Sequence, residues 1–463
     1  MTHSPTPHPQ GSAPASPAPR LFALAWPLFL EMGLGIAISL LGTLLAARVS
    51  DTAGAAFALA NHVGGTLFIL FRIIGAGISV VLTQALGSGR RDVADATARA
   101  AVGASSWIGL LTGLGAMLGA EPLLRVLGAP AEVLPLATPF LVLLGPAMLL
   151  DAWNAAMASV MRAHLRARDT LAVLLAMQAL QLALAVPLMQ HLGLIGFALA
   201  LIASRLLGLA LHLWLWRARL GLRLTAPDWW RLPRRELGAI LHIGLPGAGE
   251  NIAYRLAFMA SVAVVGHLGA QALATHAYVS QLMYFILLSG LATGFAAEIV
   301  VGHLIGAGQL HAAHRLVRRA MARGLLVSVA VAGAFALAGP WLLGFFTRDP
   351  AIIALGSTLL WLTVILEPGR TFNLVVINAL RAAGDARYPV MVGSGSMLVV
   401  LAGGSWLLGQ QLGLGLVGVW IAYAADEWLR GLLMWRRWAR QDWVPHARAA
   451  HRRLRASRAT PPA

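Results

Sequence analysis

The stretch Trp26-Pro27-Leu28-Phe29-Leu30-Glu31 and the stretch Leu245-Pro246-Gly247-Ala248-Gly249-Glu250 each set a proline four residues before a glutamate, inside a long apolar run. Pro27 and Pro246 are 219 residues apart, and so are Glu31 and Glu250. The same offset, with no gap, pairs Gly75 with Gly294, Gly87 with Gly306, Gly89 with Gly308 and Arg99 with Arg318. It also pairs Asn154 with Asn373, Arg162 with Arg381 and Arg168 with Arg387. Coincidences of Ala, Leu or Gly carry little weight, but Pro, Glu, Asn and Arg at one fixed offset mark a duplication. The chain reads as two structural repeats, a common building rule of membrane transporters.

Composition sets the solvent. The 463 residues are 58% hydrophobic and 11% charged, with a mean hydropathy of +0.74, against about 25% charged in an ordinary soluble domain. Such a chain cannot solvate its own surface and belongs in a bilayer. It has no cysteine, which excludes disulfides and thiolate metal sites. All 35 basic residues are arginine and the net charge is +17. That charge follows membrane topology, so its expected partner is anionic lipid headgroups and not nucleic acid.

A spanning helix needs about 20 mostly apolar residues. Twelve candidates begin near residues 21, 54, 100, 132, 169 and 193, and again near 238, 270, 319, 351, 388 and 412. The fold class is therefore all-α and integral to the membrane, with twelve spans as two parallel six-helix repeats. The expected division is a disordered tail over 1–20, a first lobe over 21–217, a linker over 218–236, a second lobe over 237–437 and a basic tail over 438–463. Alternate connections are rich in arginine: Arg90, Arg91 and Arg99; Arg162, Arg166 and Arg168; Arg217 to Arg235; Arg315 to Arg323; Arg381 and Arg387. The others hold only Arg48, Arg125 and Arg348. By the positive-inside rule both termini are cytoplasmic. An even number of spans per repeat makes the repeats parallel. Trp229-Trp230 in the linker is expected at headgroup level.

A charged side chain in hydrocarbon costs several kcal/mol unless it is paired or hydrated, so buried charges are the candidate functional groups. Glu31 and Glu250 each follow a helix-bending proline and are expected near the bilayer midplane. Glu250 has Asn251, Tyr254 and Arg255 close by, and Arg255 is its expected ion partner. Glu367 and Arg370 lie at i,i+3 in the tenth span and can pair, with Asn373 extending the stripe. Asp426 and Arg430 at i,i+4, with Glu427, are expected near the end of the twelfth span as a gate or structural pair. Asp151 breaks the sign symmetry, because its repeat partner is Arg370, which makes an Asp151–Arg370 bridge conceivable. Arg72, Arg205 and Glu298 are read as lying toward helix ends. The eighth span carries His276, Tyr278, Gln281 and Tyr284, with Met259 and Met283 nearby; this is either an adaptable apolar wall for a ligand or ordinary packing. His276 is read as a structural histidine. Gly87-Ser88-Gly89 and Gly306-Ala307-Gly308 are read as helix terminators.

These strings, with Gln84-Ala85-Leu86-Gly87-Ser88-Gly89-Arg90, Val301-Gly302-His303-Leu304-Ile305-Gly306-Ala307-Gly308, Ala274-Thr275-His276 and Ala379-Leu380-Arg381-Ala382-Ala383-Gly384-Asp385, resemble the multidrug and toxic compound extrusion (MATE) family. The resemblance covers about residues 21–437. It implies two lobes around a V-shaped cavity, alternating access, and export driven by H⁺ or Na⁺. Two departures are visible. The aspartate that one branch carries late in its first helix is Gly42 or Thr43 here, and the acid of the fifth helix is replaced by Gln178 and Gln181. Glu250 and Glu367 lie in helices where another branch has acids, about one turn displaced.

The functional expectation is a monomeric, cation-coupled antiporter of the bacterial cytoplasmic membrane. It exports amphipathic, often cationic small molecules and uses no cofactor beyond the H⁺ or Na⁺ gradient. Its expected coupling and substrate residues are Glu250, Glu31, Glu367, Arg370, Tyr254, Asn251, Asp151, Arg255, Gln281 and Tyr284. A flippase for a lipid-linked or polysaccharide substrate is the alternative within transport, and a membrane scaffold the alternative outside it. No catalytic constellation supports an enzyme.

Overall fold

The computed structural model describes residues 21–456, without the side chains of 68–70, 72–74 and 455–456. The tail expectation for 1–20, the side chain of Arg72 and the last residues of the basic tail lie outside the described residues. The first repeat runs α1 (Leu21–Val49), α2 (Asp51–Gly87), α3 (Arg91–Leu118), a short α4 (Ala120–Val126), α5 (Leu134–Ala163), α6 (Ala167–Leu192) and α7 (Leu194–Leu215). The second runs α8 (Arg234–His267), α9 (Ala270–Gly306), α10 (Leu310–Leu337), a short α11 (Gly339–Leu343), α12 (Pro350–Ala382), α13 (Arg387–Ser396), which continues in π-helical turns to Gln411, and α14 (Gly415–Ala439). A last helix, α15 (Val444–Ala456), follows. Even the short α4 and α11 begin 219 residues apart.

Among the described residues, nine helices are long and apolar enough to cross a membrane, and α2, α8 and α14 complete the set of twelve long helices. Where expectation and structure differ most, α3 and α10 begin nine residues early. Their first turns carry Asp92, Asp95 and Arg99, or His311, Arg315 and Arg318, which hydropathy alone assigns to loops. The linker has regular structure of its own. Its helical turn at Ala226–Trp229 is closed by a capping box between Thr225 and Asp228. Trp229 and Trp230 pack edge-on against Trp153 and Trp107.

The repeats meet along α2 and α9. Gly87 and Gly306 close these helices, but their reason is proximity: a Cβ on Gly87 would lie 2.1 Å from the His303 carbonyl oxygen, and one on Gly306 would lie 2.1 Å from that of Gln84. The positive-φ terminators are Gly89 and Gly308, both at +74°. Around this crossing Gln84 Nε2 donates to Ala382 O at 2.8 Å, and His303 Nε2 contacts Ala163 O at 2.8 Å. Each bond joins one repeat to the other, and the two are related by the same 219-residue shift. A pseudo-twofold axis therefore passes between α2 and α9. The apolar core is divided accordingly. One cluster gathers Phe57, Phe140 and Phe197 in the first half, one gathers Trp420, Leu359 and Val279 in the second, and a third joins Leu24 and Leu28 of α1 to α9, α12 and α14.

Candidate functional site

The two midplane glutamates of the sequence reading lie elsewhere. Glu31 accepts from Arg162 Nη1 at 3.1 Å and from Thr170 Oγ1. Glu250 accepts from Arg381 Nη2 at 2.5 Å. Arg162 and Arg381 stand one residue before the ends of α5 and α12, so both carboxylates lie toward the arginine-rich end of the bundle and not at mid-depth. Arg255 is exposed and five positions on around the helix from Glu250, so it is not the partner. Asn251 donates to its own helix at Gly247 O, 2.8 Å. The pairs Glu31–Arg162 and Glu250–Arg381 are repeat equivalents, each spanning 131 residues.

The charges at mid-helix form two other constellations. In the first half Asp151 of α5 accepts from Arg205 Nε of α7 at 2.6 Å, and Arg205 Nη1 reaches Gln181 Oε1 of α6 at 3.1 Å. Arg205 thus sits in the middle of its helix, and Asp151 pairs with it and not with Arg370. In the second half Arg370 of α12 binds Glu367 at 2.5 Å and Glu427 of α14 at 3.0 Å. The polarity is reversed between halves: acid on α5 and base on α7, but base on α12 and acid on α14. Asp426, Glu427 and Arg430 occupy the middle of α14, not its end. Arg430 Nη2 bridges Asp426 at 2.7 Å and Glu427 at 2.9 Å. Asn373 Nδ2 donates to Glu427 at 2.9 Å and Ser396 Oγ to Asp426 at 2.6 Å. Three carboxylates therefore face two guanidiniums, all but Arg370 less than 9% exposed. Adding the neighbouring Glu250–Arg381 pair leaves the excess of one negative charge unchanged.

Each constellation borders a cavity. The first-half cavity has a volume of about 510 Å³ and is lined by Glu31, Asp151, Asn154, Arg162, Gln178 and Arg205, among apolar side chains that include Phe57, Phe140 and Phe197. The second-half cavity is about 50 Å³ and brings together Tyr254, Tyr284, Arg370, Tyr423 and Glu427. Tyr254 stacks on Phe258, with ring centroids 6.0 Å apart. Gln281 does not line it; Ser280 and Met283 do. Met259 is 66% exposed and Tyr278 stacks on Phe346, so these two belong to surface and packing. His276 is structural as expected: it meets Tyr423 Oη at 3.3 Å, and Tyr423 joins Ser261 at 2.9 Å. His212 of α7 escaped the sequence reading. It lines the first-half cavity and contacts Asn154 Oδ1 at 2.9 Å. A lone histidine in an apolar helix gives little signal, and only the repeated Asn154/Asn373 pointed toward this level of the bundle.

The MatE family model matches residues 27–186 and 246–406, two segments that begin 219 residues apart. Among curated relatives, the "Uncharacterized transporter YisQ" of Bacillus subtilis is 33% identical over 440 residues, covering 93% of this chain and 96% of that protein. A "Probable multidrug resistance protein NorM" of Chromobacterium violaceum is 26% identical, covering 90% and 92%. Among solved structures, the Vibrio cholerae MATE transporter VcmN in its bent form aligns with a TM-score of 0.84 at 19% identity, covering 93% of this chain and 97% of that one. A MOP superfamily transporter from Pyrococcus furiosus aligns with a TM-score of 0.82 at 18% identity, covering 92% and 96%.

Proposed function

The chain belongs to the MatE family of multi-pass membrane transporters, and from that premise we propose that it is a proton-coupled antiporter that exports amphipathic cations by rocking its two six-helix halves. The arginine distribution supports a bacterial cytoplasmic-membrane protein with both termini inside. The observation that carries the coupling is the charge count on α12 and α14. One uncompensated negative charge in hydrocarbon costs several kcal/mol, and binding one cation there removes the cost. Glu367 is the receiving group. Glu427 is held by Arg370, Arg430 and Asn373, and Asp426 by Arg430 and Ser396, whereas Glu367 is 1% exposed and bonded to Arg370 alone among the described residues. This moves the coupling role from Glu250 and Glu31, each matched one-to-one by an arginine, to the cluster around Glu367 and Arg370. Among the described residues, both arginines that line the first-half cavity are engaged by carboxylates, which disfavours a phosphate-bearing lipid-linked substrate.

The test uses purified protein in liposomes with an internal pH dye, challenged with ethidium in the presence and absence of sodium. Ethidium-driven proton movement is expected for the wild type and lost in Glu367→Gln. Undiminished proton movement in that variant overturns the assignment, and movement only with sodium assigns the other ion.

A further inference from the structure

The last helix lies across the crossing that joins the halves. The chain leaves α14 through a turn at Gln441, whose φ is +61°. Trp443 fixes that turn: its buried ring stacks on Trp438 with centroids 4.2 Å apart, and its Nε1 donates to Trp438 O at 3.1 Å. Beyond it Val444, Ala447, His451 and Leu454 recur at spacings of three and four, so they share one face of α15. His446, Arg448, Arg452 and Arg453 are exposed. The equivalent positions 219 residues earlier hold the linker turn and the start of α8, so this helix is a feature of one repeat only.

The inner face of α15 begins on one half and ends on the other. Ala447, fully buried, packs in the cluster built mainly on α9, α12 and α14. His451 Nδ1 donates to Gly306 O of α9 at 2.9 Å, one of the terminal carbonyls that a helix cannot satisfy itself. Leu454, about 10 Å further along the axis than Ala447, packs against the first-half cluster of Ile78, Leu82, Val102 and Trp216. Its carbonyl oxygen accepts from Arg90 Nη1 at 2.6 Å, which sets a guanidinium at the negative end of the helix dipole. Arg90 precedes α3 and also binds Asp92 at 2.6 Å, so it belongs to the first half. The two anchors bear a separation of the halves differently. The second-half anchor is backed by the chain itself, because α14 runs into α15 through the Trp443 turn. The first-half anchor, at Leu454 and Arg90, is non-covalent.

We propose that α15 is a strap across the arginine-rich end of the bundle, and that the halves part there only when its Leu454 end leaves the first half. This inference rests on the efflux reading above, which places that end in the cytoplasm and requires it to open for substrate to enter. The strap then sets how often the transporter opens inward. It acts at the place where α2 and α9 close on Gly87 and Gly306, so a single released anchor frees the whole crossing to open.

The experiment is alkylation of a single cysteine in the full-length protein in nanodiscs. Thr83→Cys supplies it: Thr83 is fully buried, a Cβ on Gly302 of α9 would lie 2.0 Å from its Oγ1, and the chain has no cysteine of its own. The rate of maleimide labelling then follows the fraction of molecules in which α2 and α9 have parted. In that background Arg90→Gln is expected to raise the rate about tenfold, the worth of one hydrogen bond to a charged group. Leu454→Ala is expected to raise it about fivefold through lost apolar contact. The same two substitutions combined with Ser328→Cys, which is buried within the second half on α10, are expected to leave its slow labelling unchanged. Unaltered labelling of Thr83→Cys in both variants overturns the inference. So does a rise in Arg90→Gln alone, which assigns the effect to the Arg90–Asp92 pair, and so does an equal rise at Ser328→Cys, which reports general loosening. Ethidium-driven proton movement in liposomes judges the efflux reading separately: if it is absent while labelling of Thr83→Cys rises as expected, the strap is upheld and the efflux reading falls.

Discussion

Replacing Gly87 or Gly306 by alanine should open the contact between the halves, by an amount the geometry sets. A Cβ on either residue would lie 2.1 Å from a backbone oxygen of the opposite helix. The normal closest approach of carbon to a carbonyl oxygen is about 3.3 Å, so α2 and α9 must part by about 1.2 Å. The Gln84–Ala382 and His303–Ala163 bonds, both 2.8 Å, would then stretch to about 4.0 Å, beyond hydrogen-bonding range. Two lost bonds at about 1 kcal/mol each, with about 1 kcal/mol of overpacking, sum to about 3 kcal/mol. That shifts the equilibrium between joined and parted halves by about 150-fold. Because the chain has no cysteine, two introduced cysteines bearing spin labels, one on the last turn of α2 and one on that of α12, report the separation cleanly. Both alanine variants should move the distance distribution toward longer values, and by similar amounts because they are symmetry mates. An unchanged distribution in both, with unchanged thermal stability, would refute the argument that this crossing holds the halves together.

Other expectations follow from the ion pairs and the last helix. Asp151→Asn and Arg205→Gln should each cost about 3 kcal/mol by leaving a largely buried charge alone, and the double variant should cost less than either; thermal unfolding in detergent gives the cycle, and additive losses would contradict the pairing. Removing residues from Val444 onward should lower the unfolding temperature, because α15 holds both halves through His451 to Gly306 O at 2.9 Å and Arg90 Nη1 to Leu454 O at 2.6 Å. Unchanged unfolding in that truncation would show that the docking contributes nothing.

The fold was legible because a duplication writes itself twice. Any feature common to both copies, such as Pro27/Pro246 or the glycine turns, could be read against its double, and the helix starts follow within a few residues except where a polar first turn hides them. The site was less legible, because its partners lie far apart in sequence. Arg162 and Arg381 are one residue from a helix end and read as loop charges, yet their long side chains fold back to carboxylates 131 residues away. A reading confined to one helical turn offers Glu250 only Arg255, which faces elsewhere. Asp151 and Arg370, opposite in sign at equivalent positions, tempt one to join them across the axis. Each instead finds its partner two spans further along within its own repeat, on α7 and α14.

That reversal bears on how the halves divide the work. A pseudo-twofold frame lets two similar bodies rock about α2 and α9, but identical bodies would have no reason to respond differently to substrate and to coupling ion. Here the symmetric parts, the Gly87/Gly306 crossing and the Glu31–Arg162 and Glu250–Arg381 pairs, lie at the interface and the arginine-rich end. The asymmetric parts lie at mid-depth, where a charge costs most. Among the described residues, the first half pairs its charges around a 510 Å³ cavity, while the second borders a cavity of about 50 Å³ and concentrates an excess negative charge around Arg370 and Arg430. On the proposed reading the larger, first-half cavity holds the organic cation and the cluster around Glu367 and Arg370 holds the coupling ion. The shared interface then makes occupation of one felt by the other, since both bodies must move for either site to change sides.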